Sequence, residues 1–130
     1  MRGIRGAITI GEDTKEEIFS AVQQLLREIC ERNELQPDCI GAAIFSATED
    51  ITAAFPAAGA RQLEGFSFVP LFDARQMAVA DALPLCIRVL LLVDTERSQT
   101  EIQHVYLRGA GCLRPDIARE AASHNENNRR

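Results

Sequence analysis

Leu85-Cys86-Ile87-Arg88-Val89-Leu90-Leu91-Leu92-Val93 is the stretch that decides the fold. Every residue in it except Arg88 is apolar. A short continuous apolar run bounded by Pro84 and Asp94 reads as a strand in the middle of a sheet, covered on both faces. Arg88 is the anomaly in that strand. An unpaired buried guanidinium is costly, so Arg88 must meet either an anionic ligand or a carboxylate of the same protein. The run itself leaves both readings open.

Working outward, Arg2 to Ile10 reads as a first strand, in which Gly3 and Gly6 imply close backbone approach. Thr14-Lys15-Glu16-Glu17 matches a capping box. Ile18, Val22, Leu25, Leu26 and Ile29 then recur at helical spacing, which predicts one long helix ending near Asn33. Cys39 to Ser46 is a second strand. Pro56 suits the first position of a short helix running to about Leu63. Phe66 to Phe72 reads as a third strand, with Pro70 marking an edge or bulge. Ile102 to Leu107 is the last. The expected fold is α/β (α+β): a mixed sheet of about five strands with one long and one short helix. One principal helix leaves a second sheet face uncovered, and burial in an oligomer is expected there.

The chain has 130 residues, which suits one domain, and a formal net charge of −5. A nucleic-acid or anionic-membrane partner needs clustered excess cations and is not expected. No segment approaches the ~18 apolar residues of a membrane span, and Met1 to Arg5 shows no signal-peptide pattern. Cys30, Cys39, Cys86 and Cys112 are irregularly spaced, and with only His104 and His124 beside them a zinc site has few ligands. Reduced, mostly buried thiols in a cytoplasmic protein are the expectation. Residues from Pro115 turn polar, and Ser123 to Arg130 reads as a disordered tail. Of fourteen basic residues only Lys15 is a lysine. Arginine forks match carboxylates two bonds at a time, although codon bias alone gives the same count.

Single residues carry less on their own. Arg5 lies mid-strand among small and apolar residues and could equally face solvent. Tyr106, the one tyrosine, shares a strand face with His104. Ser46 or a cysteine with His104 could form a nucleophilic pair, but no elbow motif surrounds them. Gly3-Ile4-Arg5-Gly6 lacks the spacing of a phosphate loop.

Taken together, Arg2-Gly3-Ile4-Arg5-Gly6-Ala7, Phe55-Pro56-Ala57, Cys86-Ile87-Arg88-Val89, His104-Val105-Tyr106-Leu107 and Leu113-Arg114-Pro115-Asp116 resemble the monofunctional AroH-class chorismate mutases, in the same order and at matching separations. The resemblance covers about residues 1–117, the expected domain, and leaves 118–130 as a tail. It implies a cytoplasmic homotrimer with a pseudo-barrel of sheets and active sites at subunit interfaces. The implied reaction is the Claisen rearrangement of chorismate to prephenate in aromatic amino acid biosynthesis, part of the shikimate pathway, with no cofactor and no metal. Such a reaction needs a dicarboxylate held in a compact conformer and fixed charge at the breaking ether bond.

By resemblance, Arg88 donates to the ether oxygen and a carboxylate, Arg5 grips a carboxylate, and Tyr106 adds a hydrogen bond. Phe55 and Ala57 form an apolar wall from the neighbouring subunit. Leu71, Phe72 and Asp73 line the pocket, followed by Ala74 and Arg75. Arg61 and Arg114 sit near the mouth, and Leu113 packs on the ring. Four departures stand out, one of them Phe72, which is bulkier than the family often shows. Gln76 replaces the family's glutamate and brings an acceptor without charge. Asp73 stands where a small residue or cysteine is usual, and either restores the missing carboxylate or points at solvent. Ala58 occupies a position charged in some members. Alternatives of other classes are a dicarboxylate-binding module with little turnover, which Gln76 favours, and a trimeric enamine/imine deaminase, which the motif order disfavours.

Overall fold

The computed structural model describes residues 1–113. Strands β1 (Arg2–Thr9), β2 (Ile40–Ala47), β3 (Leu71–Arg75), β4 (Cys86–Val93) and β5 (Val105–Leu107) form one mixed sheet in the order β3-β2-β4-β1-β5. The decisive apolar run, β4, is its central strand. It pairs antiparallel with β1 and β2 along their lengths, while β5 runs parallel to β1 and β3 parallel to β2.

Helix α1 (Lys15–Arg32) covers one face. Ile18, Ala21, Val22, Leu25, Leu26 and Ile29 are its buried stripe, and they join Ile4, Ile8, Phe45, Ile87, Val89 and Leu91 from the sheet in the main core. Gly6 makes this contact possible: a Cβ there would lie 2.8 Å from Ile29 Cδ1 and 3.2 Å from the Val105 carbonyl oxygen. Gly3, by contrast, would meet only ordinary contact at 3.4 Å. Only half of the predicted capping box forms. Thr14 Oγ1 accepts from Glu17 N at 3.2 Å, but the Glu17 carboxylate accepts from Gly11 N and pairs with Arg108. Helix α2 (Pro56–Arg61) starts at Pro56 as expected and ends two residues earlier than predicted.

Two strand predictions need correction. Phe66 to Pro70 is not strand: Phe66 N donates to the Leu63 carbonyl and Val69 N to the Phe66 carbonyl, so the segment coils into turns before β3 begins at Leu71. Ile102 to His104 is likewise outside β5. There Asn33, almost fully buried, captures the chain: its Oδ1 accepts from Gln103 N at 2.8 Å and its Nδ2 donates to the Gln103 and Ile29 carbonyls. The cysteines are free, but only Cys86 is buried. Cys30 and Cys39 are partly covered and Cys112 is exposed, which corrects the expectation of mostly buried thiols.

The face of the sheet opposite α1 carries Arg5 and Ala7 of β1, Cys86, Arg88 and Leu90 of β4, and Ile44 and Ser46 of β2. The 3-10 helix Arg108–Leu113 folds over part of it, making a second, smaller cluster of Ala7, Cys86, Tyr106 and Ala110 with Leu83 and Leu113 against it. Beyond that cover Ile44, Leu90 and Phe72 stay exposed.

Candidate active site

Strand alternation and register build the site. Cross-strand partners share a face, so Tyr106, Ala7, Arg88, Ser46 and Ala74 form one row across all five strands. The adjacent row is Arg5, Leu90, Ile44 and Phe72. Between these rows lies a hollow of about 410 Å³, lined chiefly by Arg5, Ser46, Arg88, Leu90, Tyr106 and Leu113. Four of the residues singled out in the sequence thus meet on one surface, although they come from positions 5, 88, 106 and 113.

The electrostatics of this hollow are one-sided. Among the described residues that line it are two guanidiniums and no carboxylate. The ion pairs among the described residues are Arg32–Glu28, Arg97–Glu34 and Arg108–Glu17, and neither Arg5 nor Arg88 takes part in one. Arg88 Nε is buried with no hydrogen-bond partner among the described residues. Of the two readings left open by the sequence, the internal carboxylate is therefore absent among the described residues. Burial pushes the Cys86 thiol up, and the Arg88 guanidinium beside it pulls it partly back. Arg5 is exposed at the edge of the hollow, with its backbone N–H donating to His104 Nδ1 at 2.9 Å. Tyr106 is buried beneath, in the row of Arg88.

A second group lies elsewhere. Phe55, Asp73, Ala74 and Arg75 line a separate hollow of about 460 Å³ beside Thr48 and Glu49. Ala57 is buried in the first turn of α2, and its N–H donates to Asp73 Oδ1 at 3.0 Å. The Phe55 side chain is 71% exposed. Burial pushes the Asp73 carboxyl up, while the Ala57 N–H and the charge of Arg61, at the end of α2, pull it down. Leu71 packs against the main core and lines neither hollow, and Phe72 stands exposed on the uncovered face. Arg114 lies outside the described residues, as do residues 118–130.

Gln76 follows β3 and is tied to the sheet by its N–H, which donates to the Ala47 carbonyl at 3.0 Å. By alternation it shares the face of Phe72 and Ala74, the Arg88 face, yet it lines a third hollow of about 310 Å³ with Thr48, Asp50 and Leu83. Its Oε1 is the second buried side-chain polar atom without a partner among the described residues. A stranded acceptor and a stranded donor thus sit on one sheet face. Ser46 was considered in the sequence only as a nucleophile, whereas its hydroxyl lines the Arg88 hollow as that residue's cross-strand partner. The alternation of Ala42, Ile44 and Ser46 in β2 was the signal that could have placed it.

The profile of the family described as chorismate mutase type I matches residues 1–117. The chain is 50% identical over 118 residues to chorismate mutase AroH of Thermus thermophilus, covering 90% of this chain and 96% of that protein. It is 43% identical over 118 residues to chorismate mutase AroH of Bacillus subtilis (strain 168), covering 91% and 93%. The solved chorismate mutase from Clostridium thermocellum superposes with a TM-score of 0.84 at 41% identity, over 87% of this chain and 100% of that one.

Proposed function

Because the chain belongs to the chorismate mutase type I family, we infer that the hollow holding Arg5, Arg88 and Tyr106 is where it rearranges chorismate to prephenate. The enzyme is an isomerase of aromatic amino acid biosynthesis. The observation that carries the placement is Arg88: a buried, unpartnered guanidinium nitrogen in a hollow with a second arginine and no lining carboxylate among the described residues. A dicarboxylate supplies the missing counter-charges.

The rearrangement breaks the ether C–O bond as a C–C bond forms, in one pericyclic step. No proton is transferred and no nucleophile is required. The work of the protein is to hold the reacting carbons close and to place donors where the ether oxygen gains charge. Arg88 has donors enough to serve the ether oxygen and a carboxylate together. Arg5 takes a carboxylate at the edge, Tyr106 adds a hydrogen bond, and Leu113 packs on the ring. Gln76 accepts from the substrate hydroxyl through its carbonyl oxygen. Arg61, Arg75 and Arg114 attract the dianion. The catalytic domain is residues 1–117, and four free cysteines suit a reducing cytoplasm. Among the described residues no helix is long and apolar enough to cross a membrane. The decisive experiment follows chorismate loss spectrophotometrically and identifies the product. Conversion to prephenate one for one is expected; unchanged chorismate would overturn the reading.

The Phe55 wall and the Arg88 hollow are separate within one protomer. In a homotrimer the wall of one subunit would close the hollow of the next, with Ile44, Phe72 and Leu90 buried between them. The exposure of Phe55 and of those three apolar side chains supports this arrangement. Sedimentation equilibrium at micromolar concentration should give three times the 14.3 kDa chain mass. A stable monomer would remove both the trimer and the shared site.

A further inference from the structure

Phe55 has little to hold its side chain within the protomer, so its position rests on the backbone around it. Two carboxylates fix that backbone. Asp13, just before α1, accepts from Thr52 N, Ala53 N and Thr52 Oγ1 at 3.0, 3.0 and 2.7 Å. Asp73, on β3, accepts from Ala57 N at 3.0 Å. Phe55 lies between these anchors, and no side chain of its own segment caps the helix that follows it. Asp73 therefore satisfies one of the first-turn donors of α2 from another element.

The orientation of Asp73 is set by the sheet. Its register partner is Phe45, which is fully buried in the main core, and Phe45 in turn partners Val89 of that core. Asp73 thus stands on the α-helical face. Ala74, one residue later, belongs to the row of Ser46 and Arg88 on the opposite face. Within a protomer a carboxylate at position 73 cannot stand in for the one that Gln76 lacks.

We propose that Asp73 is a positioning residue: it ties the first turn of α2 to β3 at Ala57 and so sets the position of Phe55, the exposed wall of the site. This deepens the chorismate mutase reading and rests on it. What the tie requires is an acceptor oxygen at position 73, and an asparagine supplies one as well as an aspartate does. A wall that holds substrate and transition state alike affects KM more than kcat.

The test compares Asp73→Asn with Asp73→Ala in the full-length protein, reading kcat and KM together with the Ala57 amide resonance in a ¹⁵N–¹H spectrum. Asp73→Asn is expected to keep kcat and KM within about twofold. Asp73→Ala should raise KM about fivefold, the size of a typical lost cap, with kcat changed less, and should shift the Ala57 amide proton. Asp73→Ser, whose hydroxyl can also accept, serves if the alanine variant does not fold, and should fall between the two. Equal losses in kcat for the asparagine and alanine variants would overturn the proposal, because charge rather than an acceptor would be what matters. Unchanged KM in Asp73→Ala with a shifted Ala57 resonance would overturn it too, leaving a cap without consequence for the site. Wild-type protein inert toward chorismate would instead defeat the functional reading, while the amide comparison would still report on the tie.

Discussion

Arg88→Lys should lower kcat by about 10²–10³-fold, the loss typical when one preorganised donor to a developing anion is removed. The positive charge survives this change, so the result isolates geometry. Lysine offers a point charge on a flexible stem, whereas the planar guanidinium reaches two acceptors at once. The ether oxygen and a substrate carboxylate are the two acceptors proposed for it. The fold should not suffer. Arg88 lies on the sheet face opposite the main core, its Nε already lacks a partner, and it takes part in no ion pair among the described residues. Arg88→Met, which removes a half-buried cation with no ion-pair partner among the described residues, should melt at or above the wild-type temperature. Steady-state kinetics and thermal melts of both variants check this. A kcat for Arg88→Lys within threefold of wild type would sink the role assigned to Arg88, and an early melt would make the residue structural instead.

Gln76→Glu should raise kcat about fivefold. The Gln76 carbonyl oxygen is buried without a partner among the described residues, on the sheet face of Arg88. A glutamate in its place would accept from the substrate hydroxyl as an ion. Hydrogen bonds to charged groups contribute roughly 1 kcal/mol more than neutral ones, about a fivefold rate if the extra strength is expressed as the ring gains positive character. The gain must depend on pH. Burial raises a carboxyl pKa, so the advantage should be present above that pKa and lost as pH falls through it. The wild-type enzyme, with an amide at 76, should show no such acid limb. Turnover of Gln76→Glu at or below wild type across the pH range would end this idea. The two positions should also be independent: Asp73 is committed to Ala57 on the other face, so adding Asp73→Asn should leave the gain unchanged.

The central strand was readable because eight neighbouring apolar residues have one economical explanation, and Arg88 drew notice for the same reason. Helix α1 was readable from spacing alone. Phe66 to Phe72 misled because Phe66, Phe68 and Val69 have the composition of a strand, while their placement depends on turn bonds to Leu63 and Phe66 that no local pattern announces. Ile102 and Gln103 carry strand-like flanks, yet Asn33, distant in the chain, takes the Gln103 amide. The same limit applies to the site. Arg5, Arg88, Tyr106 and Leu113 were chosen from motifs, and cross-strand rows bring them together. The separate hollow beside Phe55 was not foreseeable, because spacing says nothing about which face of β3 Asp73 takes. Alternation within β3 is visible in the sequence; its phase is not, because Phe66 to Pro70 has strand composition but coils into turns before Leu71.

Strand β1 has consequences for how the enzyme comes into being. It is made first, but both of its partners in the sheet, β4 and β5, come late in the chain. The bond from Arg5 N to His104 Nδ1 spans 99 positions. A nascent chain emerging from the ribosome therefore carries β1 with both edges unpaired until β4 is out and with one edge unpaired until β5 follows, and such edges invite pairing with other chains. Closure of so many distant contacts is slow compared with a helical bundle of this size. A premature stop before β5 leaves the first strand without one of its two neighbours and the Arg88 row without Tyr106.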